Sequence, residues 1–586
     1  MKDIAWTWCY NVSACAVILL LGSCHISYGK VLKEYGEIPI GEQMTPPIVA
    51  VPQGTIRGVN MVSYRNKPFF AFKGIPYAKP PVGNLRFKDP VPPVFWSGTM
   101  DASRNPEPCV QIDPQLHAAT GNEDCLYLNI YTPRLRSGND IKQLPVMVYI
   151  FGGKFQAGNI NPTLCDPRFI LDRDVVLVLP SYRLGVLGFL TTGDEVLPGN
   201  YGLKDVVQAL KWIQDNVQYF GGDANQVTLF GSSSGSVMVH MLALSSLTGG
   251  LFHRYITQSG TALTINAMVP RSVSSNRATR LGQYLACPTN SSSILVNCLK
   301  SLSAYQLVGK TSMFREWGVF PEVIWNPTVE PDIDGAILTD NPANLLAAGK
   351  TLDLPWIALV NRDEGLIYSL VPYYRNPDMF QHLLDDIDSA LPVILEYKYK
   401  VENVKAFTTA LKSYYLNDLT VNRGLIITNI TQLIGDAMFI YPTYRSMKER
   451  LVVAKNFQYF CSFEYRGKFS SSYDGAPPVY LGVAHADELL YLLPGKKSNY
   501  GSPDWEYDDA DWKMVDTMVQ LWTSFADTGV PSTLGLDNST IWAPFSSLDN
   551  YLRIGNGSDV TLEVQYGFRK ERMQFWDELT AATTWK

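Results

Sequence analysis

The 586-residue sequence is poor in charge, in histidine and in long apolar runs. Charged residues make up 18% of it, 49 basic against 55 acidic, and no basic block stands out that would neutralise a phosphate backbone. Nucleic acid is therefore not an expected partner. The fraction of hydrophobic residues is 46%, enough to fill a large core and too high for a disordered chain. No CxxC pair occurs, so the cysteines do not suggest zinc, and no metal or organic cofactor is expected. Beyond the N-terminus no segment reads as long and apolar enough to cross a bilayer. Repeats, low-complexity tracts and proline-rich linkers are also missing, so residues 30–586 are read as a single domain.

What is present begins with a leader. Lys2 precedes an apolar stretch from Ala14 to Leu21 and small residues around Gly22, Ser23, Ser27 and Gly29. That pattern predicts a signal peptide over residues 1–29, cut between Cys24 and Gly29, and an exported protein without a membrane anchor. Sequons at Asn290, Asn429, Asn538 and Asn556 fit export. After the leader six cysteines remain; Cys109 with Cys125, and Cys287 with Cys298, lie close enough in sequence to close short loops.

Short β-branched runs at Val146–Ile150, Val175–Leu179 and Val227–Phe230 read as strands buried on both faces. Between the last two, Val206, Leu210, Ile213 and Val217 recur at helical spacing, so the order implies a mostly parallel sheet covered by helices. Val515, Met518, Trp522 and Phe525 form a later helical stripe that stops at Gly529. The stretch from Ile265 to about Pro355 reads as an insertion of loops and short helices. The serine clusters at Ser291–Ser293 and Ser470–Ser472 read as surface loops.

The chemistry-bearing motif is Gly231-Ser232-Ser233-Ser234-Gly235, between a strand and a helical pattern. A serine on so sharp a turn is an exposed nucleophile, and Ser233 alone stands two residues from both glycines. Phe151-Gly152-Gly153-Lys154-Phe155 follows an early strand, where glycine-rich backbone can turn N–H groups toward an oxyanion. Among six histidines, His485 lies in a late loop suited to a general base, and the nucleophile, acid, histidine order is the one this architecture uses. His253 reads as structural, and His117, His240 and His382 carry no motif. For the acid, Asp363 and Glu364 at the end of the Trp356–Val360 run are both acceptable.

Together these residues resemble the type-B carboxylesterase and cholinesterase family along nearly the whole mature chain. The resemblance also rests on Gly74-Ile75-Pro76-Tyr77-Ala78, Glu123-Asp124-Cys125-Leu126, Gly199-Asn200-Tyr201-Gly202 and Gln258-Ser259-Gly260. It implies an α/β-hydrolase fold, a large mostly parallel sheet with helices on both faces, and a Ser233–Glu364–His485 triad. It further implies oxyanion donors at Gly153, Lys154 and Ser234, support of the acid by Ser259, an Arg86–Glu123 pair, and the two disulfides Cys109–Cys125 and Cys287–Cys298. Cys165 and Cys461 are expected to stay free.

Three departures stand out. Ser232 replaces the family's glutamate beside the nucleophile, which is expected to leave the histidine less well held when cationic. Lys154 replaces a glycine of the oxyanion loop. The Cys109–Cys125 loop has no tryptophan, which argues against acetylcholine as substrate. The expected activity is secreted serine hydrolysis of uncharged small-molecule carboxylic esters through an acyl-enzyme, as in secreted insect-type carboxylesterases. Trp325, Pro327 and Val329 are candidates for the substrate pocket. The alternative is a cholinesterase-like adhesion or binding protein with impaired catalysis.

Overall fold

The computed structural model describes residues 45–113, 116–136, 142–369, 373–418, 421–473, 481–496, 506–534 and 540–586. The expected signal peptide and Asn538 lie outside them. The sheet strands are β1 (Val59–Val62), β2 (Pro68–Pro76), β3 (Tyr127–Thr132), β4 (Leu144–Ile150), β5 (Val176–Pro180) and β6 (Gly222–Ser232). They continue as β7 (Arg254–Gln258), β8 (Trp356–Asn361), β9 (Gln458–Tyr465), β10 (Tyr551–Gly557) and β11 (Asp559–Gln565). They form one 11-stranded sheet in the order β1-β2-β3-β5-β4-β6-β7-β8-β9-β10-β11.

The six pairings from β5 through β10 are parallel, and the four toward the two edges are antiparallel. This is the mostly parallel sheet expected. Every residue of β4, β5 and β8 is buried, as strands covered on both faces require. Helices α1 (Tyr201–Asn216), α2 (Ser234–Ala243) and α5 (Asp509–Thr528) pack on the central strands. α5 carries the expected stripe, with Val515, Met518, Trp522 and Phe525 fully buried. Gly529 closes it in a left-handed conformation, φ 79°, that costs glycine least.

The expected insertion after β7 is present, with helices at Arg271–Tyr284, Ser292–Ser301, Ala304–Val308 and Pro342–Ala347. One reading within it is corrected: Ser291 caps the helix Ser292–Ser301 by accepting from the Ile294 N–H, so that serine cluster begins a helix and is not a loop. A second insertion, between β8 and β9, is mainly helical among the described residues. It ends in α3 (Arg423–Gly435), a π-helical turn Asp436–Ile440 and α4 (Tyr441–Val453).

These three segments form a continuous 31-residue rod whose most apolar window has a mean hydropathy of 1.3. This corrects the expectation that no later segment is long and apolar enough to span a bilayer. Its apolarity matches its place in the fold, since 72% of that window is buried against the rest of the protein.

Two disulfides join Cys109 to Cys125 and Cys287 to Cys298. Cys165 and Cys461 are free and buried, and burial pushes the Cys165 thiol up to about 12. Arg86 grips Glu123 with two parallel bonds, Nε to Oε1 at 2.6 Å and Nη2 to Oε2 at 2.5 Å, as the resemblance implied.

Candidate active site

β6 runs directly into α2 with Ser233 at the junction, in a strained conformation of φ 58° and ψ −128°. The turn closes because its glycines lack side chains. A Cβ on Gly235 would lie 2.1 Å from the Ile150 carbonyl oxygen, and one on Gly231 would lie 2.7 Å from the Gly235 carbonyl carbon. The Ser233 N–H donates to Gln258 O at 2.9 Å, and its carbonyl accepts from Val237 at 3.0 Å. Of the three serines, Ser232 and Ser234 are buried and Ser233 is half-buried. Ser234 Oγ is occupied, accepting from the Phe155 N–H at 3.1 Å.

Two neighbouring parallel strands supply the acid and the anchorage of the base. Asp363 and Glu364, the two candidate acids, point in different directions. Asp363 turns to Arg362 Nε (2.7 Å) and the Val483 N–H (2.8 Å). Glu364, fully buried, accepts from the Asn361 N–H at 2.7 Å and pairs with His485 Nδ1 at 2.6 Å. With Nδ1–H donated to this carboxylate, the neutral ring carries its lone pair on Nε2. That atom is buried and has no hydrogen-bond partner among the described residues, Ser233 included. Such a contact commonly closes only when substrate binds.

The His485 loop is held from behind. The His485 carbonyl accepts from Ser471 Oγ, and the Asp487 carboxylate takes the Ser471 N–H at 2.6 Å, the Ala484 N–H at 2.8 Å and Ser470 Oγ at 3.0 Å. Phe439, from the π-helical turn, packs its ring 4.4 Å from the imidazole.

A polar layer beneath this pair escaped the sequence reading. Glu488 is fully buried and accepts from Gln258 Nε2 at 2.9 Å and from Asn361 Nδ2 at 2.6 Å. Burial, joined by the charge of nearby Glu364, raises its carboxyl above the ordinary carboxylate value despite the opposing Asn361 and Gln258 donors and His485. Its signal in the sequence was slight, an acid three residues after His485. Ser259, expected to support the acid from behind, accepts from Asn361 Nδ2 at 3.3 Å and makes no direct bond to Glu364. It reaches the acid only through Asn361, whose backbone N–H holds Glu364.

The candidate oxyanion loop follows β4. A Cβ on Gly152 would lie 2.5 Å from Ser232 O, so this loop lies directly on the elbow. Gly153 has φ 130° and a Cβ there would meet Ala157 O at 1.9 Å; Lys154 and Phe155 also have positive φ, 60° and 59°. The N–H groups of Gly153, Lys154 and Ser234 donate to no acceptor among the described residues. Gly153 and Lys154 are half-buried and Ser234 is buried, so three unpaired N–H groups beside one serine can serve a negatively charged visitor. The Lys154 side chain leaves this region, pairing with Glu322 and lying 5.1 Å from the centre of the Tyr368 ring.

The sequence profile of a family described as the Carboxylesterase family matches residues 45–576. The chain belongs to the carboxylesterase family. As a carboxylesterase-family serine hydrolase it acts on carboxylic esters. Its relatives include Esterase FE4 of Myzus persicae, 38% identical over 85% of this chain and 87% of the relative. Carboxylic ester hydrolase of Bombus ignitus is 34% identical over 91% of this chain and 94% of its own length. Juvenile hormone esterase of Tribolium castaneum is 34% identical, with 83% and 84% covered.

The three pocket candidates of this carboxylesterase separate. Trp325 lies against the oxyanion loop's support, its Cδ1 3.8 Å from where a Cβ of Gly185 would sit, and the Gly185 N–H donates to Phe155 O at 2.7 Å. Pro327 is buried in a segment fixed by Asn200, which donates to Thr328 O at 2.7 Å. Val329 lines a different cavity, of about 600 Å³, to which no residue of the elbow, the oxyanion loop or the acid–base pair contributes. Of the sequons, Asn290 and Asn556 are exposed, whereas Asn429 is half-buried on α3 and its Thr431 hydroxyl is bonded to Ser369 and to Ile427 O. Among the described residues no cluster of His, Cys, Asp and Glu could hold a metal ion.

Proposed function

We propose that this carboxylesterase is an exported enzyme that hydrolyses uncharged carboxylic esters through an acyl-enzyme on Ser233. The observation that carries the reading is the buried His485, bonded to Glu364 through Nδ1 and left with an unpartnered Nε2. In the first half-reaction His485 Nε2 takes the Ser233 hydroxyl proton while Oγ bonds to the ester carbonyl carbon. The carbonyl electrons move to oxygen, where the Gly153, Lys154 and Ser234 N–H groups receive the charge, each such donor being worth about 3 kcal/mol. Collapse expels the alcohol, which takes the proton from His485. Water then repeats the sequence and releases the acid. Glu364 keeps the ring in the required tautomer and balances the imidazolium. No cofactor enters these steps.

Export rests on the leader-like residues 1–29 and on sequons at Asn290 and Asn556, whose side chains are exposed. The test is labelling by a radiolabelled organophosphate, which reacts usefully only with an activated serine. Peptide mapping is expected to find one adduct, on Ser233. Adduct on Ser232 or Ser234, or none in folded protein, would overturn the assignment and return the binding-protein alternative.

A further inference from the structure

We infer that Glu322 is a positioning residue that fastens the oxyanion loop and holds the Lys154 ammonium off the reacting carbonyl, keeping the site for uncharged acyl groups. The inference rests on the proposed roles of Ser233 and the oxyanion loop. A lysine inside a loop that must present backbone N–H groups poses two difficulties. Its backbone must adopt a positive φ, here 60°, which an L side chain resists, and its charge lies one residue's reach from a site where charge will develop.

Glu322 answers both. Its carboxylate pairs with Lys154 Nζ, and its backbone carbonyl accepts from Gln156 Nε2, so one residue grips the loop at two points that flank Phe155. The ammonium is further held against the buried Tyr368 ring by cation–π attraction. The pair is partly sheltered, the two side chains being 33% and 24% exposed, so solvent weakens it less than a surface pair. Trp325, three residues beyond Glu322, stands beside Gly185, whose N–H donates to Phe155 O of the same loop. The segment carrying Glu322 and Trp325 therefore braces the oxyanion loop, and the brace is electrically neutral as long as both charges are present.

The test uses Glu322→Gln, which keeps the shape and the backbone carbonyl but removes the charge, together with Lys154→Met and the double variant. On p-nitrophenyl acetate we expect each single variant to lower kcat three- to tenfold with KM within twofold, and the double variant to lose no more than either alone. The affinity of a trifluoromethyl ketone, which takes the serine oxygen at its carbonyl carbon and places an oxyanion in the hole, should fall by the same factor. Glu322→Gln frees the ammonium, so its kcat/KM ratio for mono-p-nitrophenyl succinate over the acetate should rise at least threefold, and Lys154→Met should not show this rise. A purely structural role would not change charge preference. Unchanged kcat and inhibitor affinity in Glu322→Gln, additive losses in the double variant, or an unchanged succinate ratio would each overturn the proposal. If Glu322→Gln does not fold, Lys154→Met decides: inhibitor affinity within twofold of wild type overturns it. Organophosphate labelling of wild-type Ser233 separates these outcomes from failure of the catalytic assignment itself.

Discussion

At the scale of the residue, two positions depart from the family's usual site, and each has a counterpart in space. Ser232 stands where a glutamate is usual, yet Glu488 is buried within charge reach of His485, tied down by Gln258 and Asn361. Burial raises the Glu488 carboxyl; when ionised, it steadies an imidazolium in a low-dielectric interior. Glu488→Gln is expected to lower kcat about tenfold, roughly 1.4 kcal/mol. Removing an anion makes protonation of the base harder, so the acid limb of the kcat/KM profile should move to lower pH. A profile superimposable on wild type would show that Glu488 serves packing alone. Lys154 is the second departure. Its side chain turns away to Glu322, which is compatible with the proposed use of its backbone N–H as an oxyanion donor. Lys154→Gly should therefore change kcat on a short-chain ester less than tenfold, under about 1.4 kcal/mol. A gain of about a hundredfold would mean that the native lysine distorts the hole. Ser233 and His485 were legible because a sharp turn and a scarce residue type mark them, whereas Glu364 was separated from Asp363 only by the resemblance to the family. Glu488, Gln258 and Asn361 were not, because a buried hydrogen-bond layer leaves no periodic trace in a sequence.

At the scale of the element, α2 carries more than the nucleophile's N-terminus. His240 on α2 is fully buried; its Nδ1 accepts from the Ala262 N–H at 3.0 Å, and its ring stacks 5.0 Å from Trp356. The ring is thus the Nε2–H tautomer, and that nitrogen has no partner among the described residues. Burial, aided by Arg450, pushes its pKa down to about 3. Between that value and the ordinary 6.5 the unfolded chain binds a proton that the folded one refuses, so stability falls as pH falls through this window. His240→Gln can still accept from Ala262 and does not titrate. Its urea midpoint should depend less steeply on pH from 6 to 4 than that of wild type, by up to about 1.4 kcal/mol per pH unit. Equal slopes would mean that His240 does not govern acid stability.

The central strands and α5 were readable from apolar runs and from a single helical stripe. The rod Arg423–Val453 was not. From Leu433 to Tyr444 every residue is buried, so that stretch has no polar face to set off an apolar stripe. Pro442 also interrupts any helical reading, and the rod accommodates it just after a π-helical turn that widens the backbone spacing.

At the scale of the whole molecule, the last helix of the chain braces the site from a distance. Asp436, fully buried in the π-helical turn, accepts from Arg572 Nε at 2.6 Å and from the Tyr415 hydroxyl at 2.6 Å. Arg572 belongs to the helix Lys570–Ala581, and Trp576 of that helix donates to the Tyr415 hydroxyl at 2.7 Å. The same turn carries Phe439 against His485, so residues more than a hundred positions apart support the base through one buried carboxylate. Arg572→Met strands that carboxylate with the Tyr415 hydroxyl as its donor, and breaking a buried pair from one side costs about 3–5 kcal/mol. Thermal unfolding at one fixed scan rate should show a clear fall in Tm. Adding Asp436→Asn to Arg572→Met removes the stranded charge, so the double variant should recover at least about 1 kcal/mol relative to the sum of the two single losses. Strict additivity would mean that Asp436 and Arg572 are stabilised independently, and the C-terminal helix would then have no special claim on the geometry of His485.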